Sequence, residues 1–276
     1  MKNPFTLMNC LKFLGLINLI ISFNFSLYAQ YNIGNIQNFN TQKPFDFVEI
    51  DNQGFLYFIH NDEIIKINKT GEELYHYSNK SLGDIAELDV SNSLRPVVFY
   101  KDQALIVLLD NTLSQQEDII NLSSLSLDQS NCIANSNFDN GIWFYDMALN
   151  EIVKINSTTQ FQFRSGNLSA ILPNIHLPIL SLKENNSKLY AQTSEEILVF
   201  DQYGSLIHDF NIQSISKPIY TKNFILLIKE NITTVFEMLD FSLYTINLKS
   251  SYDYLRGDKN NLIGVKNNSI DLLELK

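Results

Sequence analysis

The chain reads as all-β, a six-bladed β-propeller whose last blade is closed by the N-terminal strand. The first reason is a period. Apolar runs centred on Tyr57, Val98, Trp143, Tyr190, Leu226 and Ile263 are spaced by 41, 45, 47, 36 and 37 residues, and a repeat of about 40–50 residues holding four short strands is the mark of stacked blades. The second is composition. Charged residues make up 18% of the chain, few for a set of solvated amphipathic helices, while the abundant Asn, Ser, Ile, Phe and Tyr suit strands and turns. The third is local. Asn68-Lys-Thr-Gly71 separates two apolar runs, and Gly71 takes positive φ at no steric cost, as a hairpin turn asks.

Residues 1–29 read as a secretory signal peptide. Lys2 supplies a positive start, 11–25 is largely apolar, and Ala29 is the small residue before a cut at Gln30. The apolar stretch falls short of the ~20 residues of a spanning helix and is interrupted by Lys12, Asn18, Ser22 and Asn24. Cleavage is therefore favoured over an anchor. Lipidation at Cys10 is rejected, because Asn9 is not small and the apolar run follows the cysteine. The protein is expected to be exported, periplasmic or extracellular, with 30–276 as a single domain and no later transmembrane segment. Loss of the leader leaves Cys132 as the only cysteine, so the domain relies on its core and not on a disulfide.

A strand is expected over 31–39, with nothing beside it in sequence. Unit one follows with strands at 45–50, 55–59, 64–67 and 74–77. Unit two has 85–90, 97–100, 104–109 and a weaker polar strand ending at Ile120. Unit three has 132–134, 142–145, 152–156 and 161–163; its Ile-Val-Lys-Ile-Asn at 152–156 nearly repeats the Ile-Ile-Lys-Ile-Asn at 64–68. Unit four has 179–182, 189–191, 197–200 and 206–210, with a second Gly turn at 201–204. Unit five has 219–220, 224–228, 234–238 and 243–246. Unit six has 254–255, 262–265 and 270–275 and lacks a fourth strand. The economical solution places 31–39 beside 270–275, which ties the termini together. Middle strands are apolar on consecutive positions, as strands buried on both faces are. A β-sandwich also uses short strands, but it requires neither this period nor the duplicated Ile-Lys-Ile-Asn segment.

Asp-Asn-Gln-Gly-Phe-Leu-Tyr-Phe from Asp51, followed by Ile-Ile-Lys-Ile-Asn-Lys-Thr-Gly from Ile64, resembles the NHL-type and quinoprotein-like propeller repeats. The likeness is strong in unit one and fair in three and four. It is faint in two, five and six, where the Gly turn is missing. The resemblance implies the propeller fold across the mature chain. Propellers of this kind serve as binding scaffolds, lyases, lactonases and dehydrogenases, so it implies no single function.

The formal charge is -10, about -12 once Lys2 and Lys12 leave with the leader, and the three arginines (Arg95, Arg164, Arg256) are scattered. Nucleic acid is not an expected partner, since phosphate binding needs clustered Lys and Arg. The second-to-third turns and the links between units share one face. That face would carry Asp62, Glu63, Asp102, Asp146, Glu151, Glu195, Glu196 and Glu230. A ring of carboxylates suits a hard cation such as Ca²⁺ or a cationic partner; the plain alternative is acidic residues in exposed turns. His176 lies between Pro173 and Pro178 in the link from unit three to unit four, expected near the central opening. The four histidines, His60, His76, His176 and His208, show no metal-binding spacing, and there is no Gly-rich phosphate loop. Tyr57, Tyr100, Trp143, Tyr145 and Tyr190 are expected to pack between blades, and any at the channel mouth could stack on sugars or peptide side chains.

The favoured reading is a secreted, monomeric, non-enzymatic propeller, without a cofactor, that binds a protein or glycan partner at the cell envelope. The alternative is a metal-dependent lactonase- or lyase-type enzyme using carboxylates at the channel mouth. A peptide-binding strand edge ranks below both, because closure leaves only short edges.

Overall fold

The computed structural model describes residues 33–40, 43–211, 217–221, 223–229, 232–238, 242–247, 251–258 and 261–275; the expected leader lies outside them. β1 (Ile33–Asn40) precedes four sheets, each of four antiparallel strands in chain order. The first sheet is β2 (Phe47–Ile50), β3 (Leu56–His60), β4 (Glu63–Ile67) and β5 (Glu73–Ser78). The second is β6 (Glu87–Asp89), β7 (Val97–Tyr100), β8 (Leu105–Leu108) and β9 (Ile120–Asn121). The third is β10 (Ser130–Asn135), β11 (Ile142–Asp146), β12 (Glu151–Ile155) and β13 (Phe161–Arg164). A one-turn helix, α1 (Leu168–Ile171), leads into the fourth: β14 (Ser181–Asn185), β15 (Lys188–Gln192), β16 (Glu196–Asp201) and β17 (Leu206–Asn211).

The remaining strands are β18 (Ile219–Tyr220), β19 (Phe224–Lys229), β20 (Ile232–Glu237), β21 (Leu243–Asn247), β22 (Tyr254–Asp258), β23 (Asn261–Lys266) and β24 (Ser269–Leu275). With β1 they form one eight-stranded sheet, in the order β1-β24-β23-β22-β18-β19-β20-β21. Its halves meet at a parallel pairing of Tyr220 with Asp258. β1 runs antiparallel to β24, with Ile33 opposite Leu275 and Asn40 opposite Ser269.

Period-2 geometry explains why the middle strands are apolar on consecutive positions. On β3, Leu56 and Phe58 pack with Ile263 and Val265 of β23, whereas Tyr57 and Ile59 pack with Val98 and Tyr100 of β7. On β11, Ile142 and Phe144 face the second sheet, and Trp143 and Tyr145 face Leu189 and Phe200 of the fourth. Each middle strand therefore has a core on both sides and no solvated face. Tyr57, Tyr100, Trp143, Tyr145 and Tyr190 are all buried between sheets, where the sequence reading placed them. No helix among the described residues is long and apolar enough to cross a membrane.

The third-to-fourth turns share one device. Asn68 Oδ1 accepts the N–H of Thr70 (3.0 Å) and Glu72 (2.9 Å). Asp110 does so for Thr112 (2.8 Å) and Ser114 (2.9 Å), Asn156 for Thr158 (3.0 Å) and Gln160 (2.9 Å), and Asp201 for Tyr203 (2.9 Å) and Ser205 (2.8 Å). The fourth turn residue is left-handed in every case: Gly71 (φ 87°), Leu113 (62°), Thr159 (61°) and Gly204 (88°). Unit two, which lacks the glycine, therefore makes the same turn. There the Asx side chain holds Leu113 in a conformation usually left to glycine.

The duplicated Ile-Lys-Ile-Asn segment hides a second device. Lys66 and Lys154 are only 3% and 2% exposed. Lys66 Nζ donates to the Asn111 carbonyl of the second sheet at 2.9 Å and lies 4.7 Å from the Phe55 ring centroid. Lys154 Nζ donates to Asp139 at 2.8 Å and lies 4.7 Å from that of Trp143. An aromatic face and one strong acceptor replace part of each ammonium's water shell.

Candidate functional site

The first strands of the sheets gather around one axis, and their polar residues alternate with core residues. Glu49 stands between Val48 and Ile50, Leu88 between Glu87 and Asp89, and Lys183 follows Leu182. Alternation turns the polar set away from the inter-sheet core. Glu49, Glu87, Asp89, Lys183, Lys217 and Arg256 thus line a small axial cavity of about 60 Å³, room for no more than a few waters.

These charges neutralise one another across sheets. Lys183 Nζ of β14 reaches Asp89 Oδ1 of β6 at 3.2 Å, passing over the third sheet. Arg256 Nε of β22 lies 3.2 Å from Glu49 Oε1 of β2, and Lys217 pairs with Glu87. Asp89 Oδ2 also accepts the Asn135 N–H at 2.9 Å, and its Oδ1 the Ser91 N–H at 2.8 Å. Burial works against ionisation of Asp89, but Lys183 and these N–H groups outweigh it and hold the carboxyl below the usual range. Lys183 is pushed up: burial alone would lower it, and Asp89, Asp258 and Glu49 overcome that. Cys132 is buried nearby, its thiol raised well above normal by burial and by Glu87, which makes it a packing residue and not a nucleophile. With three acids balanced by three bases, the axis is an internally paired plug.

A roomier hollow lies where the axis opens. The first-to-second turns of the first four sheets lead into it, and Asp258 of β22 borders it. It measures about 360 Å³ and is lined by Asn52, Asn92, Asn137 and Asn186 with Phe138 and Glu184 among its walls. In the first three of these turns a buried residue, Asp51, Ser91 or Ser136, directly precedes the Asn that lines the hollow. Asp51 illustrates the division. Its Oδ1 accepts the N–H of Gln53 (2.9 Å) and Phe55 (3.0 Å), and its Oδ2 accepts the Tyr57 hydroxyl (3.0 Å), while Asn52 lines the hollow.

Glu184 is the fixed point beneath this mouth. Buried, it accepts the N–H groups of Asn137 (2.8 Å) and Phe138 (3.2 Å) through Oε1 and the Trp143 indole N–H (2.9 Å) through Oε2. The Phe138 ring, 50% exposed, stands edge-on to Tyr203, 69% exposed, at 6.4 Å between centroids.

The turns singled out from the sequence lie at the other ends of the strands. Asp62 accepts the Ser78 hydroxyl at 2.6 Å. Glu63 lies 3.9 Å from His76 and shares a groove of about 450 Å³ with His60. Asp102 is exposed in the turn after β7. Asp146 is buried and caps the Ala148 N–H at 2.9 Å, and Glu151 pairs with Arg164. Three of the residues do come together. His176 stands 3.4 Å from Glu195 and 3.7 Å from Glu196, whose Oε1 also accepts the His176 N–H at 3.0 Å. That trio is apart from the residues that line the axial cavity, so His176 is not placed at the central opening as the sequence reading had it. The 165–180 link instead packs onto the fourth sheet, where Ile175 and Pro173 line a hollow with Leu198 and Leu206. Glu230 lies outside the described residues. Among the described residues no three His, Cys, Asp or Glu side chains form a group that could hold a metal ion. The alternating polar residues of the first strands and the recurring turn Asn are visible in sequence, but the turns at the opposite ends carry the more conspicuous charge.

No protein-family model matches the chain, and no curated protein matches it in sequence. Solved structures do match. A streptogramin B lyase superposes with a TM-score of 0.58 at 12% identity, covering 89% of this chain and 98% of that one. Virginiamycin B lyase from Staphylococcus aureus gives 0.57 at 14%, covering 83% and 80%. The WD40 domain of Neurospora crassa Pan2 gives 0.58 at 10%, covering 85% and 79%. Likeness at such identities is of fold alone: the chain is a β-propeller whose sheets are four-stranded blades.

Proposed function

We propose that this β-propeller is an exported, non-enzymatic binding module whose partner docks at the axial mouth formed by the first-to-second turns. The observation that carries this reading is the recurrence of Asn in four successive first-to-second turns, Asn52, Asn92, Asn137 and Asn186, all lining one hollow. Concave sites at the centre of a rigid scaffold, with convergent polar groups, are where ligands are bound. A photo-cross-linking residue at position 137 is expected to capture a partner in the producing cell, and one at position 102, in a turn of the opposite type, is not. Adducts at 102 alone, or at neither position, would overturn the reading.

Residues 30–276 form, on this proposal, a single ring of six blades released from the 1–29 leader. The eight-stranded sheet supports it, since the lone Tyr220–Asp258 pairing divides it into β18–β21 and a second set of four, β22–β24 with β1. β1 would then close the ring by hydrogen-bonding the last strand. Deleting 33–40 is expected to lower the melting temperature by roughly 10 °C or more, the equivalent of a few kcal/mol for a domain of this size. An unchanged melting temperature would exclude closure by β1.

A further inference from the structure

Resting on that reading of the mouth, we infer that its ligand is a neutral carbohydrate, held by the amides of Asn52, Asn92, Asn137 and Asn186 and stacked against Phe138 beside Tyr203. Three features of the hollow converge on this chemistry.

The backbone accounts for only part of this set. Asn186 has positive φ and Asn92 caps a backbone N–H two residues on, the usual reasons for Asn in tight turns, but neither applies to Asn52 or Asn137. The hydrogen-bonding capacity of Asn52, Asn92 and Asn137 is only partly used. Asn92 Oδ1 takes the Leu94 N–H at 3.1 Å, and Asn137 gives one N–H to Ser91 Oγ at 3.3 Å. An amide offers two donors and two lone pairs, and the remainder match hydroxyl groups, which both donate and accept.

The hollow offers nothing to a negatively charged ligand. Its ionisable lining residues are Glu184 and Asp258, both buried, and Glu184 already accepts three N–H groups. Among the described residues that line it there is no cation to pair with a phosphate, sulfate or carboxylate. The net charge of -10 opposes acidic ligands further.

The third feature is a fixed apolar wall. Phe138 is half exposed, yet its backbone N–H and that of Asn137 are anchored on buried Glu184. The ring can therefore receive the C–H face of a sugar without first being ordered. A volume of about 360 Å³ falls in the small-ligand range of roughly 300–1,000 Å³. A protein partner would call for a broad face of about 800 Å² with an apolar core, and the amide-lined hollow does not offer one.

The test uses the mature protein on an immobilised panel of neutral oligosaccharides built from glucose, mannose, galactose and N-acetylglucosamine, with sialylated and sulfated glycans beside them. Retention on one or more neutral members is expected. Phe138→Ala and Asn52→Ala should each weaken it by about tenfold, the loss of a contact of ordinary strength, with melting temperatures close to wild type. No neutral glycan bound at millimolar concentration, acidic glycans alone bound, or binding indifferent to both substitutions would each overturn the inference. A protein adduct at position 137 with an unresponsive panel would remove the carbohydrate and leave the binding reading in place. No adduct and no glycan would remove both.

Discussion

Trp143→Ala is expected to cost about 5 kcal/mol of unfolding free energy, from a cavity term plus an orphaned acceptor. Trp143 is fully buried between the third and fourth sheets. Its ring meets Phe163 edge-on at 5.9 Å and lies under Lys154 Nζ at 4.7 Å. Alanine would leave Glu184 with an unused oxygen and Lys154 without its aromatic face. Trp143→Phe separates these contributions, keeping most of the packing while deleting the indole N–H, and is expected to cost about 2 kcal/mol. Urea denaturation of both variants measures them. A loss below about 1 kcal/mol in the alanine variant would mean that the two sheets repack freely, contrary to a close-packed interior. Because Glu184 also holds the Asn137 and Phe138 N–H groups, the alanine variant should bind less well at the mouth.

Asp89→Ala comes next, at about 4 kcal/mol near neutral pH, the usual cost of stranding one partner of a buried ion pair. Asp89 is 6% exposed, and Lys183 would keep its charge beside an apolar methyl group. Replacing both at once, Asp89→Leu with Lys183→Met, should cost less than the single change. The pH dependence has a definite sign. Asp89 is depressed in the fold, so its contribution is complete above the unfolded value of about 3.9 and is lost as pH falls towards the folded one. Lys183 is raised, so its contribution is complete below about 10.4 and is lost as pH climbs through the folded value. Wild-type stability from this pair should be flat between roughly pH 5 and pH 9. The acid limb below pH 5 should be shallower in Asp89→Ala, read from urea midpoints across pH; identical acid limbs would show that other carboxylates control acid unfolding.

Strand positions were legible because β3, β7, β11, β15, β19 and β23 each hold the apolar run centred on one of the six marker residues. Other features left no such trace. Lys66 and Lys154 share strand faces with buried Ile64 and Ile152, although their charge points to solvent. Their burial depends on an Asn111 carbonyl and an Asp139 carboxylate brought from other turns. Leu113 and Thr159 stand where units one and four have glycine, so the constant of these turns is the Asx residue three positions earlier. The candidate site was half visible. Asn recurs after the first strand of four units, but a tight turn is reason enough for Asn until the backbone angles are known.

Period and apolar pattern alone already imply the blade, its four strands and their stacking, because burial on both faces of a central strand is a local demand on consecutive residues. Which end of the propeller offers a hollow, and which charges cancel, are matters of tertiary geometry. Asp89 and Lys183 are 94 residues apart, and nothing local distinguishes them from solvated residues. Only the gathering of the first strands around an axis brings them into contact, fills the channel with paired charge, and leaves the amide-lined mouth open at its end.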